Sequence, residues 1–450
     1  FIMQKILLIL LLFIISTISI AQDKEDDKKD DKKKKEKTYS EIIDDSYKTD
    51  EGLFTVHSKN DKFLYEISPD LLGKEMLMVT RIAKTANGIG YGGQKINSQV
   101  LRWQKKHDKI LLRIVSYENV ASDTLPISKS VKNSNFEPVL YSFDIKTYNP
   151  SDSSVVIDVA PLFKTDVKAL GFPQYRRKSL KITSLDKKRS FIESIKSFPI
   201  NIEARSVMTY NSSEPPSLRN SQTISLEINN SMLLLPENKM QPRLRDQRVG
   251  FFSQSQTDYG LDEQKAKSTT YIRRWKLVPK DIEAYNRGEL VEPIKPIIYY
   301  IDPSTPKKWR KYLKQGVDDW QVAFEAAGFK NAIIGKYPPT EEEDPDWTPE
   351  DARYSVMRYY ASDIQNAYGP HTADPRTGEI LESDIGWYHN VMNLLRNWYM
   401  IQTAAVNETS RDVKFDDEVM GQLIRFVSAH EVGHTIGLQH NMGSSSAYPV

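Results

Sequence analysis

The residues best suited to chemistry lie near the end of the sequence, where three of its seven histidines fall within a short stretch. They are His430, His434 and His440, and Glu431 directly follows the first of them. Histidines four positions apart lie on one face of a helix, so both imidazoles can reach one ion. Glu431 is close enough to take a proton from a metal-bound water without being a ligand. The pattern predicts a zinc site.

Gly437 has a separate role in this prediction. A glycine adopts positive φ readily, which ends the helix and turns the chain so that His440 approaches the ion from another direction. Three neutral imidazoles leave one coordination position open for water, whose pKa then falls toward about 7. The residue types and their spacing therefore predict one catalytic zinc ion and a hydrolytic reaction.

The segment from His430 to His440 resembles the extended zinc signature of metzincin metallopeptidases. The chain as a whole is similar to secreted bacterial zinc-dependent metalloproteases in which two domains of unknown function precede an EcxA-like catalytic domain. Residues 52–57 and 71–77 resemble the first of these domains, and residues 243–252 resemble the end of the second.

This resemblance implies roles for individual residues. The implied zinc ligands and the implied general base are His430, His434, His440 and Glu431. Residues 378–387 would form the edge strand that pairs with an extended substrate. Metzincins also carry a methionine-containing turn after the third histidine. Met442 is too close to that histidine, so we expect the turn beyond Val450.

Local patterns predict the elements that position these residues. Asp416 or Asp417 caps a helix whose apolar stripe continues towards the histidines through Val419, Leu423, Phe426 and Val427. Further upstream, residues 297–301 read as a strand, and one helix is expected from Thr305, as N-cap, to Gly328, as its stop. Strands are then expected at residues 332–334 and 353–360. This order of elements is typical of an α/β layer arrangement.

Alternating apolar and polar residues predict mainly β structure before position 290, with strands at residues 111–120, 139–148, 155–159 and 224–228. The predicted fold class is α+β and multidomain: a β-rich N-terminal region, then an α/β metzincin-type catalytic domain that stops before its Met-turn. The expected divisions are a signal peptide (1–21), a charged disordered spacer (22–37), a small N-terminal domain (38–95), a β-rich domain (96–290) and the peptidase domain (291–450).

The N-terminal residues predict export. Lys5, an apolar run and small residues before a cleavage point after Ala21 are typical of a secretory signal. We expect a periplasmic or extracellular location and no stable membrane insertion after cleavage. The chain has no cysteine, 62 Lys+Arg and 60 Asp+Glu, which excludes thiolate zinc sites and disulfides and argues against a nucleic-acid partner.

Three alternatives remain open in the sequence. The β-rich half could make this a catalytically silent binding or adhesion protein with a structural zinc site. Asp374 could join a calcium loop, although a proline-containing turn also explains it. Asp246, in the Arg-rich segment 243–252, could block the zinc in a latent form, whereas the simpler interpretation of that segment is a surface turn leading into a strand. The partner is a protein or peptide substrate, and the oligomeric state is open.

Overall fold

The computed structural model describes residues 37–447. The predicted signal peptide and residues 22–36 of the predicted spacer lie outside the described residues. Within them, no helix combines the length and the apolar character that crossing a membrane requires.

The strands are β1 (Lys48–Asp50), β2 (Thr55–Lys59), β3 (Lys62–Ile67), β4 (Glu75–Lys84), β5 (Lys95–Lys106), β6 (Lys109–Val115), β7 (Asn119–Val120), β8 (Val139–Tyr148), β9 (Val155–Asp158), β10 (Ile182–Leu185), β11 (Phe191–Ser197), β12 (Asn201–Ser212), β13 (Thr223–Leu234), β14 (Ser253–Asp258), β15 (Lys267–Ile272), β16 (Ile297–Ile301), β17 (Ile333–Lys336), β18 (Ser355–Tyr360), β19 (Ala367–Tyr368), β20 (Thr372–Ala373), β21 (Ile380–Glu382) and β22 (Ile385–Tyr388). The α-helices are α1 (Tyr39–Ile42), α2 (Ile127–Ser134), α3 (Ala160–Lys164), α4 (Gln174–Ser179), α5 (Ile282–Asn286), α6 (Lys307–Asp318), α7 (Gln321–Ala326), α8 (Val391–Thr403), α9 (Asp417–Thr435) and α10 (Ser444–Ala447). Short 3-10 turns lie at Pro69–Leu71, Lys168–Leu170, Arg219–Ser221 and Glu408–Arg411.

The first half of the chain is built on one antiparallel sheet of twelve strands. Its order is β1-β2-β3-β9-β8-β6-β5-β4-β13-β12-β10, and β11 also pairs with β12. Because β4 pairs with β5, the predicted segments 38–95 and 96–290 contribute strands to the same sheet. Aromatic side chains fill the core beneath it, where the rings of Phe54, Tyr65 and Trp103 meet edge to face or tilted.

All four predicted segments contain strands, but three of them differ from the predicted bounds. Strand β8 has the predicted bounds, and β9 is one residue shorter than expected. Strand β6 ends at Val115, so the expected strand 111–120 is interrupted before β7. Strand β13 continues to Leu234, well past the expected end at residue 228, because its polar residues pair with β12 and β4 on both sides.

A five-stranded sheet of order β17-β16-β18-β22-β19 forms the second half. Its first four strands pair in parallel, and the edge strand β19 is antiparallel. Helices α6 and α9 cross beside this sheet at close range. At the crossing, a Cβ added to Gly316 would lie only 2.5 Å from Cβ of Ser428. Ser428 Oγ donates to the Leu313 carbonyl at 2.8 Å, and Trp320 Nε1 donates to the Ala429 carbonyl at 2.7 Å. The helix with the zinc motif is therefore fixed by packing and hydrogen bonds.

The single helix predicted from Thr305 to Gly328 is wrong in two respects. The chain forms two helices, α6 and α7. The backbone N–H of Trp320 bonds to the Val317 carbonyl three residues back, which tightens the turn between them. Thr305 makes no capping hydrogen bond, and the helix begins at Lys307. The predicted stop is confirmed, since Gly328 follows α7 with a φ of 91°.

Buried polar contacts join the two halves. Arg81 of β4 donates to Glu382 Oε1 at 2.7 Å and to Thr372 Oγ1 at 2.9 Å. The Asn201 side chain donates to the Glu350 carbonyl at 3.0 Å and accepts from the Ala352 N–H at 3.0 Å. Breaking one of these contacts would leave a buried polar group without its partner, which costs free energy. The contacts therefore stabilise the packing of the large sheet against the second half.

Candidate metal centre

Helix α9 carries the first two histidines and Glu431, and local chemistry defines both of its ends. The Asp416 side chain accepts a hydrogen bond from the Glu418 N–H at 2.7 Å and caps the helix. At the other end Gly437 has a φ of 108°, which glycine adopts without strain. The Leu438 N–H there bonds to the Gly433 carbonyl at 3.0 Å. The predicted start and stop of this helix are confirmed.

The predicted apolar stripe on α9 is only partly correct. Val427 is buried in the core beside Ile424, and Leu423 is half-buried. Phe426, however, is 64% exposed. It lies one turn before His430 on the same face, so this face of the helix borders the cleft rather than the core.

The three histidine side chains converge through the same ring nitrogen. Nε2 of His440 lies 3.1 Å from Nε2 of His430 and 3.1 Å from Nε2 of His434. Nitrogen ligands about 2.0–2.1 Å from a tetrahedral zinc ion lie roughly 3.3 Å from one another, so this spacing fits one zinc ion. Within residues 37–447, this is the one group of at least three His, Asp or Glu side chains that could share an ion.

The protonation of the rings also suits metal binding. Nδ1 of His434 lies 2.8 Å from the Leu438 carbonyl oxygen, so Nδ1 carries the hydrogen and Nε2 keeps its lone pair for a metal. Burial, and after it the neighbouring His434 and His440, lower the pKa of His430. A lowered pKa favours the neutral imidazole, which is the form that binds zinc.

Glu431 is buried although the neighbouring His430 is exposed. Burial raises the pKa of its carboxyl to about 7, and a hydrogen bond from the Gly369 backbone opposes this shift. Gly369 approaches closely because it has no side chain: a Cβ there would lie 3.0 Å from Oε2 of Glu431. A carboxyl with a pKa near neutrality is suited to both accepting and donating a proton.

A long cleft runs past the histidines. The large apolar residues that line it on α8, on α9 and on the chain that follows them include Val391, Leu394, Leu395, Trp398, Phe426 and Met442. Strand β19 and Gly369 also line the cleft. The cleft therefore brings apolar side chains and an edge strand together with Glu431 and the histidines.

The edge strand at this cleft is β19, and the prediction that residues 378–387 form the edge was wrong. That segment contains β21 and part of β22, and β22 lies between β18 and β19. Ile385 and Trp387 are both fully buried. The alternation of residue types indicates a strand, but the neighbours that cover it are set by the chain topology.

The other two candidate acids are engaged elsewhere. The buried Asp374 carboxylate accepts hydrogen bonds from the Arg376 side chain at 2.7–3.1 Å, and the possible calcium site remains a prediction. Asp246 is exposed and pairs with Arg248 at 2.6 Å. It is not among the residues lining the cleft. The structure therefore does not bring Asp246 to the histidines.

Among the residues that contact the motif and were missed at the sequence level, two lie beside its side chains. They are Gly369, described above, and Phe252, whose ring centroid lies 5.9 Å from that of His434 and 5.3 Å from that of His371. The available signal was the aromatic pair at the end of segment 243–252. The predicted turn leading into a strand is confirmed there, because β14 begins at Ser253.

Comparison with protein-family models gives three matches along the chain. Residues 36–85 match a domain of unknown function (DUF5118), residues 93–280 match another domain of unknown function (DUF5117), and residues 412–450 match the Met-zincin family. No curated protein matches the chain, and no solved structure matches it. The Met-zincin match and the histidine triad together suggest a zinc metallopeptidase.

Proposed function

We propose that this protein is an exported zinc-dependent endopeptidase of the metzincin type, whose catalytic domain is residues 291–450. The observation that carries the proposal is the convergence of three Nε2 atoms beside the buried carboxyl of Glu431. His430, His434 and His440 would hold one zinc ion. When bound, such an ion lowers the pKa of a water molecule and polarises a carbonyl group.

Residues of the chain would bind the substrate and transfer the proton. Strand β19 is the last strand of its sheet, and both of its residues line the cleft. An extended peptide would add there as a further strand. Glu431 takes a proton from the attacking water at its carboxylate. It then passes that proton to the nitrogen of the departing amine, so its carboxyl ends the cycle as it began. Protein or peptide chains are the proposed substrates.

The competing candidate, a silent binding protein with a structural zinc ion, is less well supported. A structural zinc ion is enclosed by four protein ligands, whereas a catalytic one keeps a position open. Within the described residues, no fourth His, Asp or Glu joins the triad. His430 and His440 are also exposed towards the cleft, so solvent and substrate can reach the site.

Cleavage of casein or gelatin by the full-length protein and its Glu431→Gln variant tests the proposal. We expect zinc content to be unchanged and the turnover rate to fall at least about 100-fold, because the proton carrier is lost. Glu325→Gln, at an exposed glutamate on α7, is the matched control and should keep full activity. Equal cleavage by the parent and the Glu431→Gln variant would overturn the proposal, as would no cleavage by the zinc-loaded parent.

Export is proposed from residues 1–21 and is tested separately. Expression in a bacterial host and fractionation should place the protein in the periplasm or the medium. N-terminal sequencing should then begin at Gln22. A protein that stays in the cytoplasm with its N-terminus intact would contradict the proposed signal peptide.

A further inference from the structure

The loop that carries the third histidine is held by the β-rich half of the chain. The histidine loop, residues 436–440, links the end of α9 to His440. The clamp segment, residues 250–252, precedes β14 and belongs to the region that matches a domain of unknown function. The two lie side by side, although they are far apart in the sequence.

Two backbone hydrogen bonds join the histidine loop to the clamp segment. The Phe252 N–H donates to the Gly437 carbonyl at 2.7 Å. The Gln439 N–H donates to the Gly250 carbonyl at 2.8 Å. Gln439 is the residue before His440, so the second bond fixes the chain immediately before the third histidine.

The same contact reaches a second histidine of the triad. Phe251 and Leu438 form an antiparallel β-bridge between the two segments. The Leu438 carbonyl oxygen is the group that lies 2.8 Å from Nδ1 of His434. The backbone that pairs with the clamp segment therefore also sets which nitrogen of His434 is free for a metal.

The clamp segment is itself well anchored. The Phe252 ring contacts the rings of both His434 and His371, and the Phe252 carbonyl accepts a hydrogen bond from the Arg273 N–H at 2.8 Å. Two residues further on, Trp275 Nε1 donates to the carbonyl of Thr435, the last residue of α9, at 3.0 Å.

We infer that Phe252 and Trp275 are positioning residues of the metal centre, and that the β-rich half completes this centre instead of acting as a detachable leader. The inference rests on the proposed zinc site. Outer contacts that orient metal ligands typically change metal affinity about 10–100-fold when they are removed. Phe252 and Trp275 act through the histidine loop and α9, and neither supplies a ligand atom.

Zinc affinity, measured on the full-length protein by competition with a chelator, tests the inference. Phe252→Ala and Trp275→Phe should each bind Zn²⁺ about 10-fold more weakly or worse. They should also change the visible absorption spectrum of bound Co²⁺, which reports ligand geometry. The matched controls are Phe324→Ala, at another half-buried phenylalanine, and Trp347→Phe, whose indole N–H has no hydrogen-bond partner within residues 37–447.

The outcomes separate this inference from the peptidase proposal. Unchanged Zn²⁺ affinity and an unchanged Co²⁺ spectrum in both variants would overturn it, as would fast hydrogen exchange of the Phe252 and Gln439 amides in the zinc-loaded protein. If the parent binds zinc and cleaves no protein, the peptidase proposal fails. The Zn²⁺ affinities of the two variants then still decide the positioning role. If the parent binds no zinc, both fail.

Discussion

The backbone of Gly369 lies directly against the side chain of Glu431. A Cβ atom on Gly369 would lie 2.5 Å from the Glu431 carbonyl oxygen and 3.0 Å from Oε2. Gly369 directly follows edge strand β19, so the proposed substrate-binding edge and the proposed general base are in contact. We expect a displacement of one to disturb the other, which would couple substrate alignment to proton transfer.

Gly369→Ala should therefore damage catalysis and leave metal binding intact. The added methyl group forces Glu431 or the end of β19 to move, and a displacement of about 1 Å can cost on the order of 100-fold in rate. We expect kcat/KM for a peptide substrate to fall about 10–100-fold with unchanged zinc affinity. Gly171→Ala is the control, because its Cβ would meet nothing closer than 3.7 Å. Equal kcat/KM values for the two variants would contradict this coupling.

Removing zinc should lower the thermal stability of the protein. A ligand that binds only the folded state at about 1,000 times its Kd adds about 4 kcal/mol to the free energy of unfolding. We expect the melting temperature to fall on chelation and to recover when Zn²⁺ is added. His434→Ala should abolish this response, whereas His389→Ala, at an exposed histidine outside the triad, should keep it. A chelation-sensitive melting temperature in His434→Ala would count against the triad as the zinc site.

Ionisation of the buried Glu203 carboxyl should lower the free energy of unfolding as the pH rises. Burial raises the pKa of this carboxyl to about 7, even though Asn201 and Asn229 donate hydrogen bonds to it. The folded state holds the proton more tightly than the unfolded state, so the stabilisation is full below about pH 4.5 and is lost as the pH rises through about 7.

Urea unfolding of the parent and of Glu203→Gln at pH 5 and pH 8 measures this effect. Between these pH values, the parent should lose on the order of 3 kcal/mol more unfolding free energy than the variant, because glutamine cannot ionise. Identical pH dependence in the two proteins would mean that Glu203 ionises normally when folded.

Breaking the ion pair between Arg81 and Glu382 should be costly. Their side chains are 18% and 9% exposed, so Arg81→Ala leaves a buried carboxylate without its partner and should cost about 3–5 kcal/mol of stability. Arg248→Ala is the control, since the Arg248–Asp246 pair is exposed and such pairs contribute about 0–1 kcal/mol. Unfolding free energies from denaturant titration test the comparison, and equal losses would show that the buried pair does not join the two halves.

The local parts of the site could be predicted from the sequence. The Asp416 cap, the stop at Gly437 and the shared helix face of His430 and His434 all depend on residues within a few positions of each other. Hydrogen bonding and the 3.6-residue repeat determine such features, and no distant part of the chain is needed to specify them.

Predictions that depended on distant neighbours failed or were never made. The alternation of residues 378–387 indicated a strand correctly, but β22 became an interior strand because β18 and β19 flank it. The expected single helix from Thr305 also divided in two, although the hydrogen bond that divides it, from the Trp320 backbone N–H to the Val317 carbonyl, is local. The aromatic pair was a local signal at Phe252, but the local sequence does not specify which loop the Phe252 backbone will pair with.

By itself, the sequence determined the chemistry that is possible here: imidazole ligands without thiolates, a carboxylate beside the first ligand, and a glycine where the chain must turn. Only the tertiary structure decided how these groups are surrounded. Glu431 is buried because Gly369 of another element covers it, and the loop before His440 is held because residues 250–252 pair with it. Spacing along the chain sets a helix face, whereas burial and the pairing of distant segments arise only when the whole chain packs.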